Sequence, residues 1–351
     1  MVRSTQKAKI IIRLDADHQK GMGHLFRMLV LCNELLEHGM DCCFVIRSDK
    51  IAERYIAKSS IPFISVPKDL SELKIIKTTF NCIKRIKIWI YDILDTSPLW
   101  IQEIHQRSTY VVCMDDLNGG PHKADLVINP ILGCREDVQQ KFKTFPNVLN
   151  GPIYTILSPE LDKLIPPPIQ NDLEEFKVGI SMGGSDTHGA SVILADIIAP
   201  MKELPIKFHF FLGPQFCHHA ELQNSLKNFC SDYEVHQSEP KLLTKLSCMN
   251  LIICGGGQTL FELLSIGMPL LALANESHET YTIKFFSDQK ACINLGSMHT
   301  IIHTEALSSV IQSLNYSYSK LYAMGNIAKQ IISSQGAAEC TSKILSMLEK
   351  R

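Results

Sequence analysis

Apolar residues along the chain fall into short continuous runs separated by stretches of helical period. Lys9-Ile10-Ile11-Ile12-Arg13-Leu14, within 8–16, has the length and density of a strand buried on both faces. A glycine loop, Gly21-Met22-Gly23, follows. Leu25, Phe26, Met28, Leu29, Cys32, Leu35 and Leu36 then recur at helical spacing, and Gly39 supplies a helix stop. Cys42 to Ile46 reads as the next strand, so the chain opens strand, loop, helix, strand, as a parallel sheet does. Further strands are expected at Ile86–Leu94, Tyr110–Met114 and Leu126–Asn129. Asp92, Asp95, Asp115 and Asp116 gather at their carboxyl ends, where open α/β sheets place ligands.

The alternation breaks at Ser158-Pro159 and Pro166-Pro167-Pro168, and 171–175 is polar, which marks a linker. A second run starts at Phe176, with strands expected at 176–181, 207–212, 250–254 and 269–273 and a helical end over 317–349. The expected organisation is a first α/β domain over 1–160, a linker over 161–171, a second α/β domain over 172–335 and a terminal helix over 336–351. Both halves open with strand, glycine loop and helix, so two sheets of related type are expected.

A length of 351 residues suits two such domains. A net charge of −1 leaves no basic field to hold nucleic acid or an anionic membrane. The polar start and the lack of any apolar run near ~18 residues point to a cytoplasmic chain without membrane insertion. Twelve cysteines occur without a C-x-x-C pair, which fits reduced thiols; the adjacent Cys42 and Cys43 should face opposite sides of a strand. Cys217-His218-His219 lacks a partner motif, so no metal site is expected.

Four segments can carry chemistry. In the first, Arg13 and Asp15 precede Gly21, Gly23, His24 and Arg27. The glycines allow close backbone approach, and the helix beginning near His24 aims free N–H groups at the loop. Phe26 occupies the position where a dinucleotide fingerprint needs its third glycine, so an NAD site is not expected. A neutral imidazole at His24 can take a proton from water, and Asp15 could orient the ring or bind a sugar hydroxyl. The alternative is a histidine that only caps the helix. Arg27 sits in a first helical turn, where the dipole disfavours a cation; it is either functional or a solvated side chain. In the second segment, Gly183, Gly184, Ser185 and Asp186 follow a strand and could cradle a phosphate or form a simple turn. In the third, Gly256 and Gly257 lead into Thr259-x-x-Glu262. That spacing fits a capping box, and it fits equally a carboxylate that accepts ribose hydroxyls. In the fourth, Asn275-Glu276-Ser277-His278-Glu279 lies at a strand's carboxyl end, on the ligand side, or is simply a solvated loop.

Arg-x-Asp, Gly-x-Gly-His-x-x-Arg, Asp-Asp, Gly-Gly-Ser-Asp and Thr-x-x-Glu-x(4)-Gly-x-Pro occur in that order from Ile10 to about Gly296. In this the chain resembles the UDP-2,4-diacetamido-2,4,6-trideoxy-β-L-altropyranose hydrolases of pseudaminic acid synthesis. That family is itself similar to the UDP-GlcNAc transferase that forms lipid II. The resemblance implies a glycosyltransferase-B architecture, two Rossmann-like domains facing across a cleft, with the terminal helix packed back on the first. It implies that His24 activates water, that Arg13 and Asp15 line the same pocket, that Gly183, Gly184 and Ser185 contact the diphosphate, and that Glu262 holds the ribose. The expected reaction is metal-independent, inverting hydrolysis of a UDP-sugar without a cofactor, and the family permits a monomer. Two departures bear on the sugar. Asn275-Glu276 stands where the family has Asn-Gln, and Tyr91-Asp92-Ile93-Leu94-Asp95 lacks the family's Asp-x-Tyr. A transferase using the same donor is the alternative, kept open by the basic, isoleucine-rich segment Lys74–Lys87. A non-catalytic nucleotide-sugar-binding protein is the third reading.

Overall fold

The computed structural model describes residues 10–15, 22–116, 118–145, 147–167, 175–201, 205–298, 304–315 and 317–349. Gly21 and residues 168–174, which include the end of the expected linker, lie outside them. The chain forms two compact units, one of Met1–Pro159 with Ser334–Arg351 and one of Glu160–Ser333.

In unit one the order is β1 (Ile10–Leu14), α1 (Gly23–Glu37), β2 (Cys42–Arg47), α2 (Lys50–Lys58), β3 (Phe63–Val66), α3 (Glu72–Cys82), β4 (Ile88–Asp92), α4 (Pro98–His105), β5 (Tyr110–Met114), β6 (Leu126–Asn129), α5 (Glu136–Phe142) and β7 (Val148–Asn150). The seven strands lie in the order β3-β2-β1-β4-β5-β6-β7, every pair parallel. The chain order reverses between β1 and β4, which is the switch point where such sheets bind ligands. Strand alternation divides the apolar runs between two layers. Ile10, Ile12 and Leu14 pack with Leu25, Met28 and Leu31 of α1, while Ile11, Cys43, Trp89 and Tyr91 pack with Ile75, Ile76 and Ile101 of α3 and α4. Cys42 and Cys43 accordingly fall in different layers. Local chemistry sets the helix ends. The Asp49 carboxylate accepts from the N–H groups of Ile51 and Ala52 to start α2, and Gly39, at φ +76°, ends α1.

Unit two repeats the plan with β8 (Phe176–Ser181), α6 (Ala190–Ile198), β9 (Ile206–Leu212), α7 (His219–Leu226), β10 (Asp232–Gln237), α8 (Leu242–Leu246), β11 (Leu251–Cys254), α9 (Gln258–Ser265), β12 (Leu270–Ala274), α10 (Glu279–Asp288), β13 (Ile293–Ser297), α11 (Thr304–Asn315) and α12 (Tyr318–Ile331). Its six parallel strands run β10-β9-β8-β11-β12-β13, again with the reversal beside the first strand. Gly267, at φ +79°, turns α9 into β12 and leaves room for Gly325 of α12, where a side chain would come within 2.2 Å of the Gly267 carbonyl oxygen.

The last helix, α13 (Gly336–Glu349), belongs to unit one. Gly336 lets it dock, because a Cβ there would lie 2.1 Å from the Thr155 carbonyl oxygen. Ala337, Cys340, Ile344 and Met347 then enter the core layer that holds α1. No helix among the described residues is long and apolar enough to cross a membrane. Ile344 is fully buried, so Ile344→Ala should destabilise unit one by about 2–5 kcal/mol. Both tryptophans, Trp89 and Trp100, lie in unit one, so an earlier midpoint in tryptophan-monitored urea unfolding checks this.

Candidate active site

The carboxyl edge of the unit-one sheet carries two polar constellations, one on each face. On the α1 face, Arg27 is a buried guanidinium in the first two turns of its helix. Its Nε donates to Asp92 Oδ2 at 2.9 Å, its Nη2 donates to Asp92 Oδ1, and its Nη1 donates to Asp115 Oδ2 at 2.7 Å. Burial works against the charge on Arg27, but the two carboxylates outweigh it and raise its pKa. Burial likewise works against a charged Asp92, yet Arg27, and then His24, hold its carboxyl well below the usual range. Asp115 is anchored in turn, its Oδ1 accepting from the N–H groups of Ile131 and Leu132 at 3.0 Å each. Asp115 adopts φ +47°, a left-handed conformation uncommon for a residue with a side chain.

His24 stands at the second position of α1, half-buried, with Nδ1 2.9 Å from Asp92 Oδ1. An ionised carboxylate has no proton to give, so this bond exists when Nδ1 carries the proton. Arg27 Nη2 gives one of its two hydrogens to Asp92 and lies 3.3 Å from the same nitrogen, a longer contact than the 2.9 Å between that nitrogen and the carboxylate. In the neutral ring this leaves Nε2 as the lone-pair nitrogen, the arrangement of a histidine base oriented by a carboxylate. The carboxylate that holds the ring is therefore that of Asp92; the expectation that Asp15 orients it is corrected.

The expected common pocket for Arg13 and His24 also needs correction. Arg13 sits one strand position before Leu14 and so faces the α3 side. There its Nε and Nη2 form a two-pronged pair with Glu72 at 2.9 Å each, and its Nη1 reaches Asp15 at 2.5 Å. Arg47 adds a second cation 3.5 Å from Asp15 and 3.6 Å from Glu72. These groups line a cavity of about 470 Å³ that also includes Lys68, Asp95 and Trp100. Its size is that of a small-molecule site. Glu72, Arg47 and Trp100 were not singled out in the sequence.

In unit two the loops after β8, β11 and β12 lie at strand carboxyl ends. Gly183 is exposed at φ +94°, with open space where a side chain would be. The Gly184 carbonyl accepts from Gln215 N–H at 3.0 Å and packs so close to Gly213 that a side chain there would lie 2.2 Å from it. Ser185 Oγ pairs with Thr187 Oγ1 at 3.1 Å. Asp186 is buried, and its carboxylate accepts from the N–H groups of Ala190 and Ser191 at 2.7 and 2.9 Å. Its carboxylate thereby satisfies the first N–H groups of α6.

The glycine loop after β11 is narrow for a reason the sequence did not show. A Cβ on Gly256 would lie 2.6 Å from Glu279 Cβ, and one on Gly257 would lie 3.4 Å from its carboxylate. Glu279 Oε2 accepts from the backbone N–H groups of Asn275 and Glu276 at 2.8 and 3.3 Å, fixing the loop after β12. Asn275 Oδ1 is buried with no hydrogen-bond partner among the described residues. Glu276 is exposed beside His188 Nε2 at 3.2 Å. The helix α9 begins at Gln258 with Gly257 in the cap position and no side-chain cap bond. Thr259 is thus inside the helix, and the capping box is not formed. Burial pushes the Glu262 carboxyl up to about 7, against a hydrogen bond from Gln258.

No protein-family model matches the chain. It is 23% identical over 349 residues to the spore coat polysaccharide biosynthesis protein SpsG of Bacillus subtilis, covering 96% of this chain and 97% of that one. It is 27% identical over 274 residues to an uncharacterized protein of Methanocaldococcus jannaschii, covering 76% of this chain and 55% of that longer protein. Among solved structures, MurG of Acinetobacter baumannii superposes with a TM-score of 0.73 at 15% identity, over 96% of this chain and 99% of that one. A putative UDP-N-acetylglucosamine 2-epimerase of Listeria monocytogenes superposes with a TM-score of 0.65 at 12% identity, over 98% of each chain. The fold is the glycosyltransferase-B fold of two Rossmann-like domains, which transferases and epimerases share.

Arg27→Met leaves Asp92 as an uncompensated buried charge and should cost about 3–5 kcal/mol in tryptophan-monitored urea unfolding. Adding Asp92→Asn should recover part of that loss, because the charge that needed the guanidinium is gone.

Proposed function

We propose that the protein transfers a glycosyl group from a nucleotide-diphosphate sugar to a hydroxyl of an acceptor. The observation that carries this reading is the His24–Asp92 pair, clamped by Arg27. His24 Nε2 takes the acceptor's proton as its oxygen bonds to the anomeric carbon. The bond from that carbon to the diphosphate oxygen breaks, and the nucleoside diphosphate leaves with the electron pair. Attack opposite the leaving group inverts the anomeric centre. Gly183, Gly184, Ser185 and the first N–H groups of α9 offer donors to the diphosphate, and Glu262 accepts from the ribose. The fold shared with MurG and the Bacillus subtilis relative named for polysaccharide biosynthesis support a role in building surface glycan.

A second reading is favoured by the order of motifs, which resembles the altropyranose hydrolases: water takes the acceptor's place at His24 Nε2, and the free sugar is released. The remaining chemistry is the same.

Release of nucleoside diphosphate from a panel of UDP-sugars, with and without glycan acceptors, separates these readings. Release that requires an acceptor supports transfer, and rapid release without one moves the assignment to hydrolysis. His24→Ala should lower turnover by about 10²–10⁴ while nucleotide affinity stays constant. Turnover unchanged in that variant contradicts the role given to the histidine.

Glu262 adds a pH dependence with a definite sign. Its carboxyl is protonated below about 7 and ionised above. The ionised form accepts from two ribose hydroxyls, so nucleotide affinity should rise as pH increases through about 7. In Glu262→Gln, calorimetric titration at pH 6 and pH 8 should show weaker binding and no such rise.

A further inference from the structure

Unit two carries a second constellation, on the outer strand pair of its sheet. Strands β9 and β10 pair in parallel with His209 opposite Glu234 and Phe211 opposite His236. Alternation puts these side chains on the sheet face opposite Phe208 and Phe210, which enter the core. The His236 ring stacks on Phe211, centroids 4.6 Å apart, and lies within 14° of parallel to the His209 ring. His209 Nδ1 and His236 Nε2 are 3.2 Å apart, and Glu234 Oε2 lies 3.6 Å from the first and 3.5 Å from the second. The other oxygen of Glu234 is held by Lys207 Nζ at 2.7 Å.

Hydrogen bonding alone satisfies this group poorly. Two imidazole nitrogens face one another with room for a single proton, and His209 Nε2 is buried with no partner among the described residues. A point equidistant from the two nitrogens and Glu234 Oε2 lies about 2.0 Å from each, within the range of zinc–nitrogen and zinc–carboxylate bonds. We infer that His209, Glu234 and His236 bind one divalent transition-metal ion of the zinc type, which clamps the edge strand β10 onto β9.

The donor set selects the metal class. Two imidazoles and one carboxylate suit zinc, nickel or copper, whereas calcium and magnesium call for more oxygen. Three protein ligands leave the remaining position to water. The ion replaces the proton shared by the imidazoles, and both rings turn from their head-on contact to aim their lone pairs at it, so binding releases a proton. Lys207 orients the carboxylate from behind, as partners of metal ligands commonly do. Strand β10 is largely exposed and, among the described residues, pairs only with β9, so a clamp from one strand to the other restrains a sheet edge.

The test uses the full chain, stripped of metal and with the exposed thiols Cys82, Cys217, Cys230 and Cys248 alkylated. Titration with zinc chloride by calorimetry should give one ion per chain with a Kd in the micromolar range or below. Glu234→Gln and His236→Asn, both toward the exposed side of the group, should each weaken binding by about tenfold or more. Cobalt(II) should give d–d absorption without a thiolate charge-transfer band. Zinc should slow amide exchange in β10 of the wild type and leave it unchanged in His236→Asn. The proposal is overturned by the absence of saturable binding below about 100 µM. It is also overturned by a Kd that neither substitution moves, which would place the ion on other groups such as His218 and His219.

Discussion

The guanidinium of Arg27, buried between Asp92 and Asp115, is the interaction on which the chemistry of unit one depends. It ties the start of α1 to the carboxyl ends of β4 and β5. Any one of these three charges would be costly to bury alone. Together they hold Asp92 ionised, and the ionised Asp92 fixes the proton on His24 Nδ1. The strained backbone of Asp115 and the two N–H groups it binds belong to the same arrangement, because they aim its second oxygen at Arg27. A single misplaced helix turn in α1 would uncouple all four residues.

The two units use one sheet plan for different ends. Each reverses strand order beside its first strand and gathers polar groups at the carboxyl edge. Unit one fills that edge with charge: a proton-handling pair on one face and the Arg13–Glu72–Arg47 network around a cavity on the other. Unit two keeps its edge short of side chains. Gly183, Gly184 and Gly257 expose backbone, while Asp186 and Glu279 turn their carboxylates inward to brace the loops. One edge is suited to moving protons and the other to holding an anionic group by backbone donors.

The inner strands of both sheets were legible in the sequence because burial on both faces writes a continuous apolar run. The strands that were not singled out, β3, β7, β10 and β13, are the outermost of the two sheets. Their residues are largely half-buried or exposed, so the run that would reveal them is absent. His24, Arg27 and Asp92 were visible as chemistry-bearing residues at strand ends and a helix start. Their pairing was not. Asp92 is 68 residues from His24, and Glu72 is 59 residues from Arg13. No spacing rule reaches across such distances. Strand parity does explain one error: Arg13 and Asp15 looked like neighbours of His24 along the chain, but the side chain of Arg13 belongs to the other face of the sheet. Glu279 was visible only as the end of a polar loop, because nothing there distinguishes a brace from a solvated carboxylate until the glycines beside it are seen to need one.

The central claim is that Asp92 fixes the proton of His24 on Nδ1 and so presents Nε2 as the base. The most direct measurement is the tautomer of the neutral His24 ring, read from long-range proton–nitrogen NMR correlations in protein labelled with ¹⁵N-histidine. The account predicts a protonated Nδ1 and a bare Nε2 in the wild type, and loss of that preference in Asp92→Asn. A proton on Nε2 in the wild-type neutral ring would contradict it, because the lone pair would then face Asp92 and Arg27 instead of an incoming hydroxyl.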